Sequence, residues 1–431
     1  MPNSARPSAL RLLSRPRTAG PVAVLVCALA ILAARPAQTQ TFTVLHNFSN
    51  GGDGGSPYAG LTMDRAGNLY GTTCEGGQGN NGVIFKLTQR NGIWQVLNPL
   101  YYSFGADRGW CPYGAVTIGP NGDLYGTTWK GGTGGGGTVF KLAPPAHTSS
   151  NAIAPWTLTV IHSFAGGGDG ANPTSVVLVF DAAGNIYGTT ESGGEGCPDY
   201  GGCGTVFELA PTAHGQWTET ILYKFTDGND GSLPQAGLIL DSAGNLYGTA
   251  AGGGIGACGT VFKLARFGSE WIESTLHVFV GVDDGCSPQA GLTLDSADNL
   301  YGTTACGGNF TNGSVFELTP QPDGSWTETT LAQLQGGTSA CGGPLSGVVI
   351  DAAGDLISSR YAFGELGGIG AVFKLIPSGG GWLYTELYDF DYYTGGGSPI
   401  GNLLLDSNGN LYGTASVGGQ LRGGTIWTIT R

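Results

Sequence analysis

The sequence predicts an all-β fold, a seven-bladed β-propeller built from four-stranded antiparallel blades. Three observations carry that reading. A short phrase, GNLYGTT at Gly67 to Thr73, returns in related form centred on Tyr70, Tyr125, Tyr187, Tyr247, Tyr301, Ile357 and Tyr412. The successive centres lie 55, 62, 60, 54, 56 and 55 residues apart. The last unit stops at GGTIWTITR, one strand short, while TFTVLHNF (Thr41 to Phe48) matches the fourth strand TLTVIHSF (Thr157 to Phe164). Regular four-strand repeats of roughly 40 to 50 residues or slightly more are the mark of propeller blades. An N-terminal strand that completes the last blade closes the ring without a dangling edge.

Each unit reads as strands A to D. Strand A is GLxxD, and the segment DSAGN (Asp241 to Asn245) and its relatives turn it into strand B. The Asp bonds its own turn and the Gly supplies positive φ, which is hairpin chemistry. Strand B is LYGTT, followed by a glycine-rich loop such as CEGGQGNNG (Cys74 to Gly82), strand C as GTVFKL, and strand D, which opens on Trp and closes LYxF. Glycine is abundant, at 80 of 431 residues. Its alternation with β-branched apolar runs indicates turn-rich β structure rather than disorder.

The combination GNLYGTT…GTVFKL resembles the Gloeo/Verruco (GloVer) tandem repeat of secreted bacterial proteins, over essentially the whole chain beyond its leader. The resemblance implies an exported repeat protein and supplies no catalytic residues. Proteins of that kind often end in a sorting anchor, whereas this sequence ends at Arg431 on an expected propeller strand.

Residues 1–37 read as a Sec-type signal peptide, with residues 41–431 as the single propeller domain. Arg6, Arg11, Arg15 and Arg17 form a basic start, and GPVAVLVCALAILAA (Gly20 to Ala34) is too short to span a bilayer comfortably. The expected location is secreted, extracellular or periplasmic, with no transmembrane segment. Without the five arginines of the leader, 13 of the 18 basic residues face 31 acidic ones, a formal net charge of −18. Such a surface excludes nucleic-acid binding and disfavours anionic membranes.

Eight cysteines lie beyond the leader. The repeat frame pairs Cys74 with Cys111, Cys258 with Cys286 and Cys306 with Cys341, each from a B–C loop to the next D–A loop. Cys197 and Cys203 share one loop. Such staples contribute roughly 3–4 kcal/mol each for loops of that length. Zinc is not expected at the cysteines, because they lack metal-ligand spacing and neighbouring histidines.

The remaining motifs divide into structure and candidate function. His46, His162 and His277 fill one strand D slot that Tyr102, Tyr223 and Tyr388 fill elsewhere, which reads as packing. The sequence GQGNNG (Gly77 to Gly82) precedes a strand, not a helix, and is no dinucleotide fingerprint. Asp53, Asp107, Asp169, Asp230 and Asp284 recur in the D–A loops. Calcium there is weighed against simple Asp-Gly turns, and the turns are favoured. No cofactor or metal is expected.

Six of nine tryptophans open strand D, and Trp427 replaces the strand C phenylalanine. Trp110 and Trp129 remain, flanked by Arg108, Tyr113 and Lys130. They are expected together on the disulfide-braced face as an aromatic platform for a glycan or a surface protein. Blade 6 breaks the repeat with Arg360, Tyr361 and Glu365, a second candidate patch. The functional expectation is a binding or interaction module. The alternatives are a polysaccharide-degrading enzyme using acids such as Glu75, Glu191, Glu195 or Asp199, and a structural envelope or matrix protein.

Overall fold

The computed structural model describes residues 40–95, 97–145, 156–174, 177–335, 341–362 and 369–430. The leader reading on residues 1–37, together with Glu365, falls outside the described residues. Gln40–Arg431 forms one compact unit. It consists of seven four-stranded antiparallel sheets, so the chain is a seven-bladed β-propeller. No helix among the described residues is long and apolar enough to cross a membrane.

Blade 1 shows the plan: strand A is Thr62–Met63, B is Leu69–Thr73, C is Val83–Leu87 and D is Asn98–Tyr101. The seventh sheet joins Leu404–Leu405, Leu411–Ala415 and Thr425–Thr430 to the N-terminal strand Thr41–Asn47. The pairing runs from Thr41 opposite Thr430 to Asn47 opposite Thr425. The first strand therefore closes the ring as the sequence predicts.

The repeated phrase is a hydrogen-bonded unit. In the turn before strand B, Asp241 Oδ1 accepts from the amides of Ala243 and Asn245, at 2.9 and 2.8 Å. Its Oδ2 accepts from Asn245 Nδ2 at 2.7 Å and from the Tyr247 hydroxyl at 3.1 Å. Asp64, Asp181, Asp295 and Asp406 repeat the arrangement with Tyr70, Tyr187, Tyr301 and Tyr412. Blades 2 and 6 replace the Asn by Asp123 and Asp355, and there Lys141 and Lys374 of strand C supply the counter-charge. The phrase glycine lies over the strand C ring: a Cβ on Gly71 would sit 2.4 Å from Phe85 Cζ. Thr72, Thr189, Thr249, Thr303 and Thr414 each donate to a backbone carbonyl of the next blade.

The apolar core lies between blades rather than within them. Seven buried clusters each combine residues of two neighbours, as Phe48, Tyr412 and Ile426 meet Leu69 and Phe85 where blade 7 joins blade 1. All seven C–D ladders carry a β-bulge at one position. The residue it leaves unpaired is Leu45, Leu100, Ile161, Leu222, Leu276, Leu331 or Leu387. Each packs into one of those clusters, so the bulge re-aims an apolar side chain into the joint. The strand D tryptophans complete the joints. Trp217, Trp271 and Trp326 pack edge-on against Tyr125, Tyr187 and Tyr247 of the preceding blade, and Trp94 does the same to Tyr412.

One slot shifts relative to the sequence reading. The residue of blade 1 that matches His162 is Tyr101, paired with Ile84, while Tyr102 is exposed. Pro99 cannot donate to the ladder, strand D is only four residues long, and YYSF takes up one extra residue before Phe104.

Burial raises the carboxyls of Asp64, Asp181, Asp241 and Asp295, but the hydrogen bonds from Asn, Tyr and backbone outweigh it and hold them below the ordinary value. Their stabilisation is therefore present above the unfolded carboxylate value of about 3.9 and is lost as pH falls through the folded one. Asp241→Ala is expected to cost about 2 kcal/mol in urea unfolding at neutral pH. The gap to the parent protein should narrow below pH ~4; a gap that stays constant would show that the carboxylate is not the source.

Candidate functional site

One clasp at the blade joints positions the site. The residue before each repeat proline donates its amide to the B–C loop of the preceding blade, as Cys111 does to Asn81 O at 2.8 Å. Its carbonyl accepts from the first residue after strand B of its own blade, as Cys111 O does from Trp129 N at 3.0 Å. Ser56, Cys111, Asn172, Leu233, Ser287 and Ser398 hold this place with φ between 52° and 60°. A side-chain-bearing residue in that region is strained. The following proline packs on the glycine that opens strand C of the preceding blade. A Cβ on Gly82 would lie 2.5 Å from Pro112 Cδ.

The clasp fixes two rings of side chains on the face that carries the disulfides. The residue after each proline is Tyr58, Tyr113, Thr174, Gln235, Gln289, Leu345 or Ile400. The residue after each strand B is Cys74, Trp129, Glu191, Ala251, Ala305, Tyr361 or Ser416. Deeper in, Ala59, Gly60, Ala115, Ala236, Ala290 and Gly401 converge and leave about 20 Å³, room for one water. Above this plug lies a cavity of about 290 Å³ lined by Tyr113, Trp129, Thr174, Glu191, Gln235, Gln289, Leu345 and Ile400.

The two sides of the cavity differ chemically. On one, Gln235 Nε2 donates to Glu191 Oε1 at 2.7 Å, and Tyr113 stacks on Tyr58 with ring centres 4.7 Å apart. The Lys130 ammonium lies 4.2 Å from the Trp129 ring centre, within cation–π range. Leu345 and Ile400 make the other side apolar. Burial raises the Glu191 carboxyl, against the lowering effect of Gln235 and Lys130. Burial, then Tyr58 and Glu191, push the Tyr113 hydroxyl up to about 12, so it remains a neutral donor.

Trp110 and Trp129 meet edge to face with ring centres 5.9 Å apart. Trp129 lines the cavity with Tyr113, while Trp110 lies outside it with an exposed ring. Neither is outside the repeat. Trp129 holds the place of Glu191, and the Trp110–Lys130 bridge is matched by Ala171–Ser192 and Ser232–Gly252. Arg108 is exposed and donates to the Tyr101 hydroxyl at 3.0 Å, away from the lining. Sequence reasoning missed Thr174, Gln235, Gln289, Leu345 and Ile400. The available signal was one slot beside an invariant proline whose chemistry changes from blade to blade.

Of the blade 6 patch, Arg360 and Tyr361 lie among the described residues. Arg360 is 2% exposed and is held by Gln335 O at 2.6 Å, from the segment after strand D of blade 5, and by Glu386 Oε1 at 3.0 Å on strand D of its own blade. It takes the buried fifth position of LYGTT, where Thr73 stands in blade 1, so its charge is met within the fold. Tyr361, half-buried, stands at the ring position.

The Asp-Gly loops show turn chemistry. Asp230 accepts from Thr226 N at 2.8 Å and from the Tyr223 hydroxyl at 3.1 Å, and Asp284 accepts from Val280 and Gly281 amides. The four disulfides join Cys74 to Cys111, Cys197 to Cys203, Cys258 to Cys286 and Cys306 to Cys341. Wider grooves of about 770 and 640 Å³ lie on the A–B turn side of the blades. Asp64, which lines the first, is committed to its own turn, and Lys141, which lines the second, is paired with Asp123.

The family model described as the Gloeobacter/Verrucomicrobia repeat matches residues 30–195, 152–340 and 274–431. The chain belongs to this repeat family. Among curated proteins none matches the sequence. Among solved structures, the Gloeobacter/Verrucomicrobia repeat protein is similar to the extracellular domain of the putative hybrid two component system BT4673 from B. thetaiotaomicron. The TM-score is 0.53 at 10% identity, covering 90% of this chain and 39% of that one. A second structure of the BT4673 extracellular domain, described as a putative one component system, gives 0.52 at 11% identity, with 90% and 40% covered. The chain thus spans about two-fifths of their length. A putative 6-phosphogluconolactonase from Bacteroides uniformis gives 0.49 at 14% identity, with 84% and 89% covered. The BT4673 likeness is one of fold.

The raised Glu191 carboxyl means that ionising it inside the cavity costs stability, and that cost appears as pH rises above the unfolded carboxylate value. Glu191→Gln is expected to leave the fold intact and to raise stability at neutral pH by about 1 kcal/mol, with the gain vanishing in acid. Thermal unfolding from acid to neutral pH checks this, and a destabilised variant would overturn the assignment.

Proposed function

We propose that the protein is an exported binding module that takes a sugar unit of an extracellular glycan into the cavity at the channel mouth. The carrying observation is the convergence, in about 290 Å³, of Trp129, the Tyr113 phenol, the Gln235 and Gln289 amides and the Glu191 carboxylate opposite Leu345 and Ile400. A pyranose offers an apolar C–H face and a rim of hydroxyls, and this lining offers an aromatic surface with donors and acceptors beside it. The volume sits near the lower end of small-ligand sites, about 300 Å³. The small-residue plug beneath it makes the cavity a blind pocket, which suits a chain end or a side branch. Four disulfides support an oxidising compartment, in keeping with the leader sequence. A surface protein presenting such a sugar would be recognised in the same way.

An enzymatic reading has one specific observation behind it, the raised Glu191 carboxyl. Glycoside hydrolysis of the two-carboxylate kind needs a second acid roughly 5 to 10 Å away. The described lining supplies one, Glu191. Of the other acids considered, Glu195 is largely exposed beside Lys224, and Asp199 stands in an exposed turn. Binding is therefore the better-supported reading.

A polysaccharide panel tested against the oxidised protein should return at least one ligand, and Trp129→Ala should weaken it at least about tenfold with its melting temperature kept. Trp110→Ala should weaken it less, because that ring lies outside the cavity. Binding unchanged in Trp129→Ala would sink the cavity as the site.

A further inference from the structure

Far from the channel mouth, the outer joint between blades 2 and 3 brings together His162 of one strand D, Asp169 of the following loop and Glu219 of the next strand D. We propose that these three side chains bind one first-row transition-metal dication of the zinc type, which clips blade 2 to blade 3.

The geometry is that of a ligand set. The donor atoms all lie within 4.8 Å of one another. His162 Nε2 is 3.2 Å from Asp169 Oδ1 and 3.4 Å from Glu219 Oε1. Four ligands placed tetrahedrally at about 2.0–2.1 Å from zinc stand roughly 3.3–3.4 Å apart, which fits both spacings. The side chains are 15–26% exposed, so the fourth corner is open to a water.

The neighbouring joints serve as internal controls. Glu273 and Glu328 hold the place of Glu219 in blades 4 and 5, and both are engaged by a hydroxyl two residues on, from Thr275 at 3.0 Å and Thr330 at 2.9 Å. Blade 3 has Ile221 at that position. Glu219 Oε1 is consequently buried without that hydroxyl and faces His162 and Asp169 instead. At the joint of blades 3 and 4 the histidine is Tyr223, a poor ligand beside Asp230. At the joint of blades 7 and 1, His46 meets Asp53 alone among the described residues. Histidine, aspartate and a glutamate oxygen that no neighbouring hydroxyl engages coincide at the 2–3 joint.

Charge agrees with geometry. Burial, partly offset by Asp169, keeps the His162 ring below its ordinary pKa, so its nitrogen lone pair is free at neutral pH. Burial, then Asp169, pushes the Glu219 carboxyl up to about 9, so without a cation it keeps its proton. The His162–Glu219 contact is thus one between neutral groups rather than an ion pair. A dication would replace that proton and balance two carboxylates. One imidazole with two carboxylates suits zinc-like ions, while calcium prefers six to eight oxygens. The clip also has a place to act, since disulfides cross the joints 1–2, 4–5 and 5–6 but not this one.

The test uses untagged, oxidised full chain, stripped with chelator and dialysed against zinc, with calcium and magnesium in parallel. One zinc per chain by elemental analysis and a melting temperature that rises with zinc are expected. Glu219→Gln should abolish the uptake, whereas Glu328→Gln should leave it at one. Ile221→Thr, which restores the hydroxyl of the other blades, should weaken zinc binding about tenfold or more, at the cost of a lower melting temperature because Ile221 packs on the joint's apolar cluster. Sub-stoichiometric uptake, uptake of calcium alone, or uptake indifferent to Glu219→Gln and Ile221→Thr would overturn the proposal.

Discussion

The rest of the structure depends on the clasp in which the residue before each repeat proline bridges two blades. Its amide reaches back to the preceding blade and its carbonyl holds the end of its own strand B. Six such residues with side chains accept left-handed backbone to do so. Strain of that kind, of order 1–3 kcal/mol per residue, persists only where surrounding contacts over-determine the conformation. The proline packed on a neighbour's glycine, the threonine bonded across the joint and the shared apolar cluster provide that over-determination. The same clasp aims the next side chain at the channel mouth. Stability and site geometry therefore share one element.

This explains how a repeat protein can present a non-repeating surface. The proline and the glycine it packs on are needed for the clasp, while the half-buried side chain after the proline lies outside the apolar clusters of the joints. Tyrosine, threonine, glutamine, leucine and isoleucine all occur there. The second ring shows the same freedom, from Ala251 to Trp129 to Glu191. Two groups facing each other, Gln235 and Glu191, come from these two rings of neighbouring blades. The cavity is thus composed at the joints, like the apolar core.

The fold was legible because it is local and repeated seven times. In five of the seven turns Asp, Gly, Asn and Tyr lie within seven residues of one another, so the sequence displays the whole hydrogen-bonded unit. Closure was legible because Thr41 to Phe48 resembles the other D strands. The site was legible only in part. Trp129 and Tyr113 were singled out for rarity, but Gln235, Gln289 and Ile400 are ordinary residues whose convergence depends on the ring. Arg360 misled because a charge that breaks a repeat looks exposed in one dimension. Its partners become its neighbours only in the fold, Glu386 from strand D of blade 6 and Gln335 from the segment that follows strand D of blade 5.

The seam between Thr41–Asn47 and Thr425–Thr430 has a consequence for biosynthesis. The strand made first must wait, unpaired, until the strand made last has emerged, so the ring cannot shut during synthesis. Until then both ends present free sheet edges, the feature that invites aggregation and proteolysis. A chain cut short anywhere in its final blade keeps that edge open permanently. The seam thus ties closure of the ring to the presence of both strands, Thr41–Asn47 and Thr425–Thr430.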